Sequence, residues 1–466
     1  MAPLFSRVKS VRTPGAADVL ARGVERALST RVDKGAHLCV GLSGGVDSVV
    51  LLDLLTAIAP QHQWRISALH VNHQLSSHAQ AWARFCRRLC RERDVPLRVV
   101  KVTVARGDSI EAAAREARYA AYRAQAVDNV VLAHHQDDQA ETVLLQLLRG
   151  AGVKGLAAMP VVRQDVARPG LRLLRPLLGV TRREIEQYAS ARGLPWVEDD
   201  SNADAVYLRN FLRQQIMPRL ETRVPEYRKT LVRAAGHLAE AAQLLDELAV
   251  ADAMGQHGAL SGDTLAVAAL TTLSAARARN LLRYFLASRH VLMPDARRLD
   301  EALRQALTAK RDARVCIELG TQALRRHAGV LHVVPLGPSL PADFSRPWRE
   351  ERRLAVPELH ATLEMRRRRG AGIALAALLA KPVTLRMRRG GEKLQPDTAR
   401  PRRPVKDLFQ ERGVPPWRRD RLPFLWSGNR LVWVAGLGVD CAFHAGTGEM
   451  GVMPIWLERD ADGMRS

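Results

Sequence analysis

Between Leu38 and Leu55 the chain reads LCVGLSGGVDSVVLLDLL, a buried-strand pattern that breaks at Ser43-Gly44-Gly45-Val46-Asp47-Ser48 and resumes as an apolar helix. A glycine-rich turn joining a strand to a helix is a cradle for phosphate. Adjacent glycines let the backbone take positive φ and let a ligand approach the peptide plane. Free N–H groups at the helix start and the hydroxyls of Ser43 and Ser48 favour an anion. The spacing excludes two better-known nucleotide motifs: no Lys follows the glycines as in a Walker A loop, and no third glycine completes a dinucleotide fingerprint.

Outward from this loop, Gly35 to Arg149 alternates apolar strands with amphipathic helices: His37 to Gly41, the loop helix, Ile66 to Val71, a helix through Trp82 to Arg93, Leu97 to Val104, a helix from Ile110 to Ala126, and Val130 to Ala133. The series predicts an α/β fold, a doubly wound and mostly parallel sheet with a ligand crevice at the carboxyl ends of its strands. The unit extends to about Leu220, through a helix at Thr181 to Ala191 and another after Tyr207. Residues 226 to 310 show Ala, Leu and Arg at helical spacing and no convincing strand, so a helical middle domain is expected. Leu336 to Pro347, within the four-proline stretch PLGPSLPADFSRP, reads as a linker. Beyond it, apolar runs such as Val383 to Met387 and Arg430 to Val434 alternate with Gly and Pro turns, which predicts a small β-containing C-terminal domain. The expected domains are 1–222, 223–335 and 345–466, and no internal repeat is visible.

A chain of 466 residues exceeds what one core supports, in keeping with two or three domains. Its 71 Lys and Arg against 48 Asp and Glu give a net charge of +23, which points to a polyanionic partner, most simply nucleic acid. Clustering argues more strongly than the total: residues 346 to 430 hold 22 basic and 9 acidic side chains. Five cysteines, with no Cys-x-x-Cys pair, do not make a disulfide framework; buried free thiols in a reducing compartment are expected. The basic stretch Met1 to Thr13 lacks the apolar core of a signal peptide, and no apolar run approaches the roughly 18 residues of a membrane span. A cytoplasmic, membrane-free protein is expected.

A second motif follows the strand VVLA: His134-His135-Gln136-Asp137-Asp138-Gln139-Ala140-Glu141-Thr142, leading into the helix VLLQLLRG. Carboxylates at a helix start can hold Mg²⁺, and the helix dipole keeps them ionised. The same residues can equally cap the helix, with two polar surface histidines beside them. A zinc site from His70, His73, His134 and His135 has no supporting motif spacing.

Taken together, SGGVDS, ALHVNHQL (Ala68 to Leu75), EAAAREARYAAY (Glu111 to Tyr122), AHHQDDQAET and EDDSNADAVYLRNFLR (Glu198 to Arg213) resemble, in order and spacing, the tRNA(Ile)-lysidine synthetase family of the PP-loop ATP pyrophosphatase superfamily. The stretch Arg386 to Asp440 resembles that family's C-terminal domain, so the likeness covers nearly the whole chain. One departure is Gln74, where the family usually has Gly. The resemblance implies an enzyme that splits ATP between the α and β phosphates and adenylates the wobble cytidine of a CAU-anticodon isoleucine tRNA. Free L-lysine then displaces AMP at C2 to give lysidine, and the codon read changes from AUG to AUA.

It also implies roles. Ser43, Gly44, Gly45, Val46 and Ser48 would hold phosphate, with His70 and His134 beside the nucleotide. Asp47, joined by Asp138, would bind Mg²⁺, while Asp137 or Asp138 would help remove a proton from the lysine amine. Arg115 and Arg118, on one helix, can pair with phosphate or with the lysine carboxylate. Glu141 would bind the lysine amino group, Arg209 and Asn210 would lie near the reacting atoms, and Glu198, Asp199 and Asp200 would order the loop before that helix. Arg386, Arg388, Arg389, Lys393, Arg402, Arg403, Lys406, Arg418 and Arg419 would serve the tRNA backbone. Trp417 is either a core residue or a platform for a terminal base. A homodimer is compatible with the sequence. Two alternatives are a PP-loop tRNA thiolase, whose sulfur-carrying types use cysteine pairs missing here, and a non-catalytic tRNA-binding protein, against which the intact SGGVDS and HHQDDQ argue.

Overall fold

The computed structural model describes residues 16–104, 110–198, 208–255, 260–261, 263–309, 315–336, 340 and 343–458. The chain forms two compact units, Met1–Ala249 and Val250–Ser466, and both expected internal boundaries fall inside these units.

The first unit is built on six strands, β1 (His37–Gly41), β2 (Arg65–Asn72), β3 (Leu97–Lys101), β4 (Asn129–Val131), β5 (Val162–Gln164) and β6 (Arg172–Leu174), in the order β3-β2-β1-β4-β6-β5. Every neighbouring pair is parallel except β5 with β6 at the edge. Seven helices accompany them: α1 (Ala16–Ser29), α2 (Val46–His62), α3 (Ala79–Arg91), α4 (Ile110–Arg123), α5 (Gln136–Leu148), α6 (Val153–Leu156) and α7 (Arg182–Ala191).

Alternation along β1 explains the layers. Leu38 and Val40 turn to a core shared with Val24 and Leu28 of α1, the leucines of α2, and Ile185 and Tyr188 of α7. Cys39 turns the other way, to Tyr119 and Tyr122 of α4. Helix α2 shows no apolar stripe because Leu51, Leu52, Leu54 and Leu55 are all buried; such all-round apolarity is what a helix needs when several neighbours enclose it. The chain leaves β1 for β2 on one side and reaches β4 on the other, so the strand order reverses at β1. The loops after β1 and β4 therefore meet at the carboxyl edge, where open α/β sheets bind their ligands.

Beyond β6 the chain is helical: α8 (Leu208–Phe211), a π-helical turn Leu212–Ile216, α9 (Met217–Arg223) and α10 (Tyr227–Gly255). Pro218 in the first turn of α9 has no N–H to offer the preceding turn, which accounts for the break in the α ladder there.

In the second unit, helices Val267–Thr271, Ala275–Ser288 and Ala296–Thr308 accompany a five-stranded sheet. Here the structure corrects an expectation: residues 226 to 310 are not purely helical, since Leu260–Ser261 and Thr264–Ala266 are strands. Thr264–Ala266 forms a short hairpin with Leu260–Ser261 and pairs on its other side with Val330–Pro335, some 60 residues later, with Leu265 opposite Leu331. A strand of two or three residues completed by so distant a partner leaves no local periodicity to read. The C-terminal part holds a five-stranded sheet and a four-stranded sheet around one core that includes Leu385, Phe409, Phe424 and Trp433, and both expected strands, at Val383 and Arg430, are present. The expected linker is corrected at its end, where Ser345–Trp348 pairs antiparallel with Val383–Arg386. That strand is the sheet's edge, the place where Pro347 is tolerated. All five cysteines are free thiols, and no helix among the described residues is long and apolar enough to cross a membrane.

Candidate active site

The phosphate loop is held open by its own hydroxyls. Gly44 has φ +99°, in the region that favours glycine, and a Cβ there would lie 2.9 Å from Val197 Cγ2. Gly45 caps α2 in extended conformation, leaving the first-turn N–H groups without helical acceptors. Ser43 N–H and Gly44 N–H both donate to Ser48 Oγ at 3.2 Å, and Gly45 N–H donates to Ser43 Oγ at 3.2 Å. Two successive amides thus aim at one oxygen, the arrangement a phosphate oxygen takes in such a nest. Behind the loop, His70 Nδ1 lies 2.9 Å from Leu42 O and Val197 N–H donates to Gly44 O at 3.0 Å.

Across the crevice, α5 begins at Gln136 and presents Asp137, Asp138 and Glu141 within its first two turns. Residues three and four apart share a helix face, and this face meets a row of arginines. Arg209 donates to Glu141 at 3.0 Å and to Asp138 at 3.3 Å. Arg213 makes contacts of 2.5 and 3.0 Å to the two oxygens of Glu141 and 3.2 Å to Asp138. Arg228 pairs with Asp137 and, at 2.7 and 3.0 Å, with Glu221. Arg182, the first residue of α7, gives its backbone N–H to Asp137 at 2.9 Å and its guanidinium to Asp47 at 2.5 Å. The capping box of Thr181 with Glu184 fixes that helix start.

Charge distribution follows. His135 sits 3.7 Å from Asp47, 3.6 Å from Asp137 and 3.5 Å from Asp138. Burial acts to lower its pKa, and the three carboxylates outweigh burial and raise it. Burial drives His134 down to about 3, which keeps that imidazole neutral. Burial also raises Asp47, against the pull of His135 and Arg182, and Asp47 Oδ1 is buried without a hydrogen-bond partner. Asp137 goes the other way: despite burial, the His135 contact, the Arg182 amide and Arg228 hold it well below the usual carboxylate range. A depressed carboxylate stabilises the fold above its unfolded pKa and loses that contribution as pH falls. Acid titration of melting temperature should therefore show the wild type losing stability below about pH 4, and Asp137→Asn losing less over the same window; identical profiles would contradict the assignment.

The resulting cleft encloses about 630 Å³, the size of a small-molecule site. Of the residues expected from the sequence, Ser43, Gly45, Val46, Asp47, Asp137, Asp138, Glu141 and Glu198 line it. Arg209 joins through its bonds to Glu141 and Asp138. Gly44 and Ser48 shape the loop from behind, and His70 supports Leu42 from β2 and does not line the cleft. Arg115 is exposed, with its guanidinium 5.3 Å from the Tyr119 ring centre, and is likewise not among the lining residues. Asp199 and Asp200 lie outside the described residues. Sequence reasoning missed Trp82, Trp196, Arg182, Arg213 and Arg228 as cleft residues. Arg213 carried a usable signal, lying four residues after Arg209 on one helical face.

No group of three or more His, Cys, Asp or Glu side chains among the described residues forms a metal site, so the four histidines do not make a zinc centre. Two carboxylates, Asp47 and Asp138, do border one point at His135 Nε2.

In the second unit Arg389, Arg402, Lys406 and Arg418 are exposed and Arg386, Arg388 and Arg403 half-buried. Arg419 points inward, 9% exposed, with Nε donating to Val414 O at 2.7 Å, so its charge serves the fold. Trp417 is half-buried against His327 and His332, at ring distances of 5.8 and 5.3 Å.

A parallel sheet reversing at β1, a glycine phosphate loop at its carboxyl edge and a facing row of carboxylates define a nucleotide-using domain of PP-loop type, and residues 18–220 match the family described as PP-loop domain. Residues 265–332 match the TilS substrate binding domain and residues 383–456 the TilS substrate C-terminal domain. The tRNA(Ile)-lysidine synthase of Nitrosomonas europaea is 46% identical over 434 residues, spanning 92% of this chain and 93% of that protein. The synthase of the same name from Chromobacterium violaceum is 44% identical over 425 residues, spanning 90% and 94%. The chain belongs to the tRNA(Ile)-lysidine synthase family. Among solved structures, the U34-tRNA thiolase NcsA from Methanococcus maripaludis aligns over 48% of this chain and 80% of its own, with a TM-score of 0.42 and 19% identity.

Proposed function

We propose that this protein ligates free L-lysine to C2 of the wobble cytidine of CAU-anticodon isoleucine tRNA at the expense of ATP, releasing AMP and pyrophosphate. The observation that carries the proposal is the meeting, in one cleft, of the Ser43–Ser48 phosphate loop with the acid and arginine row of α5, α7 and α8. The cytidine O2 attacks the α-phosphate while the loop amides hold the phosphate oxygens, and pyrophosphate leaves. The lysine amine then attacks C2 and AMP departs. Holding both acceptors in one cleft turns two collisions into local steps. The cytosine must leave its stack to enter, and Trp82 and Trp196 give it a surface to stack on.

The carboxylates divide by environment. Asp137, held far below the usual range, is a poor proton acceptor and seats Arg182 and Arg228. Glu141, closed in by two guanidiniums and 1% exposed, anchors Arg209 and Arg213, a different role from seating the lysine amine. Asp47 and Asp138 suit Mg²⁺, which takes one or two carboxylates together with substrate phosphates, and Asp47 Oδ1, which makes no hydrogen bond and faces His135 Nε2 at 3.7 Å, is a ligand atom open to a cation. Bound there, the ion would neutralise phosphate charge.

The exposed basic residues of the C-terminal part serve the tRNA backbone. Lys406→Ala should lower the salt slope of tRNA binding by up to about one unit, as one lost phosphate contact does. Arg419→Ala should leave the slope unchanged and lower the melting temperature instead. The reverse pattern would exchange their roles. The reaction itself is tested with ATP labelled at the α-phosphate: without lysine, label should accumulate on a CAU transcript, and added lysine should release it as AMP. Label that never reaches the tRNA would overturn the adenylation step.

A further inference from the structure

Four arginines face the carboxylates of the cleft, and they are not equally committed. Arg213 makes three contacts to Glu141 and Asp138, Arg209 bonds the same two acids, and Arg228 grips both oxygens of Glu221 as well as Asp137. Each is thereby tied to at least one acid that is nearly buried or doubly held. Arg182 differs. Its guanidinium makes one contact to Asp47 at 2.5 Å and one to Glu186 at 2.7 Å. The side chains of Arg182 and Glu186 are 42% and 50% exposed, and a pair in such surroundings is weak, so the single contact to Asp47, 23% exposed, is what holds the guanidinium. Its backbone, by contrast, is pinned by Asp137 and by the Thr181–Glu184 box. A fixed backbone under a lightly held guanidinium is the anatomy of a side chain that can swing.

Position says where. Asp47 is the second residue of α2, next to the amides that cradle phosphate, so a guanidinium touching it stands beside the loop that would carry a triphosphate. Asp47 also has a second oxygen, Oδ1, buried, without a hydrogen bond and facing His135 Nε2 at 3.7 Å, which the single-contact arginine does not reach. ATP carries on its β- and γ-phosphates the paired oxygens that an arginine fork matches better than it matches one carboxylate oxygen.

We propose that Arg182 is a catalytic residue that exchanges anions: ATP draws its guanidinium from Asp47 onto the β- and γ-phosphate oxygens, and Asp47 is released to bind the magnesium that accompanies the nucleotide. When the bond from Pα to the bridging oxygen breaks, its electron pair stays with pyrophosphate, and Arg182 holds the charge that arrives there. The exchange couples arrival of nucleotide to completion of the cation site. It deepens the reading of this cleft as the ATP site and rests on it.

The test uses calorimetric binding to the full-length protein, with α,β-methylene ATP plus Mg²⁺ as one ligand and AMP as the other. Arg182→Ala should weaken the triphosphate analogue by about tenfold or more and leave AMP within about twofold of wild type. Arg182→Lys, which keeps the charge and loses the fork, should recover part of the loss. In turnover, the alanine variant should show a raised KM for ATP together with a lowered kcat. Unchanged affinity for the analogue, or equal loss for analogue and AMP, would overturn the role of Arg182. Failure of the wild type to bind either ligand would instead overturn the reading of the cleft.

Discussion

Asp47→Ala is expected to lower pyrophosphate release by roughly 10³-fold, the scale of losing a preorganised group that stabilises transition-state charge, while tRNA affinity stays near wild type. The carboxylate stands in the first turn of the loop helix, carries the contact to Arg182 and borders His135 together with Asp138. Removing it takes away a proposed cation ligand and the resting partner of a proposed phosphate ligand together. Its effect on stability should run opposite. Burial raises the pKa of Asp47, and a group whose folded pKa is raised binds its proton more tightly when folded, so its ionised form costs stability at neutral pH. Melting temperature should hold or rise as activity collapses, the pattern of a site that trades stability for function. A variant that loses activity only because it unfolds would refute this account.

Glu141→Ala should produce the largest loss of stability. Glu141 is 1% exposed and receives both Arg209 and Arg213, whose side chains are 25% and 42% exposed. Deleting one partner of a buried pair leaves the other's charge uncompensated, which costs about 3–5 kcal/mol when the partner is fully buried. Partial exposure of the arginines reduces that to about 2–3 kcal/mol. For a unit of this size the midpoint should fall by roughly 4–12 °C. Glu141→Gln, which preserves shape and two hydrogen-bond sites, should lose less. A midpoint within 1 °C of wild type for the alanine variant would show the cluster to be solvent-screened.

Sequence alone exposed those parts of the fold in which local pattern and long-range structure coincide. The β1–loop–α2 unit is legible because Ser43-Gly44-Gly45 interrupts an apolar run at the point where the strand must end and the helix begin, and Gly44 does adopt the positive φ that the motif requires. HHQDDQAET was legible as acids at a helix start. The partners of those acids were not, because Arg182, Arg213 and Arg228 lie 45, 75 and 91 residues from the aspartates they meet. In a chain with 71 Lys and Arg, no local signal separates an arginine facing an acid from one facing water. The same arithmetic misled the reading of the C-terminal basic cluster, in which Arg419 counts as a surface charge by sequence and turns inward to Val414 in the fold. The three-residue strand Thr264–Ala266 is likewise completed by a distant partner, Val330–Pro335, and invisible beforehand.

The AMP carried by the loop goes first to the wobble cytidine and is released when lysine takes its place. Full-length protein is incubated with ATP, Mg²⁺, radiolabelled lysine and an unmodified CAU isoleucine tRNA transcript, and label in the tRNA is counted beside AMP and pyrophosphate. Lysine should be incorporated at the wobble cytidine in equal amount to the AMP and pyrophosphate released. Formation of AMP and pyrophosphate with no lysine in the tRNA would contradict it.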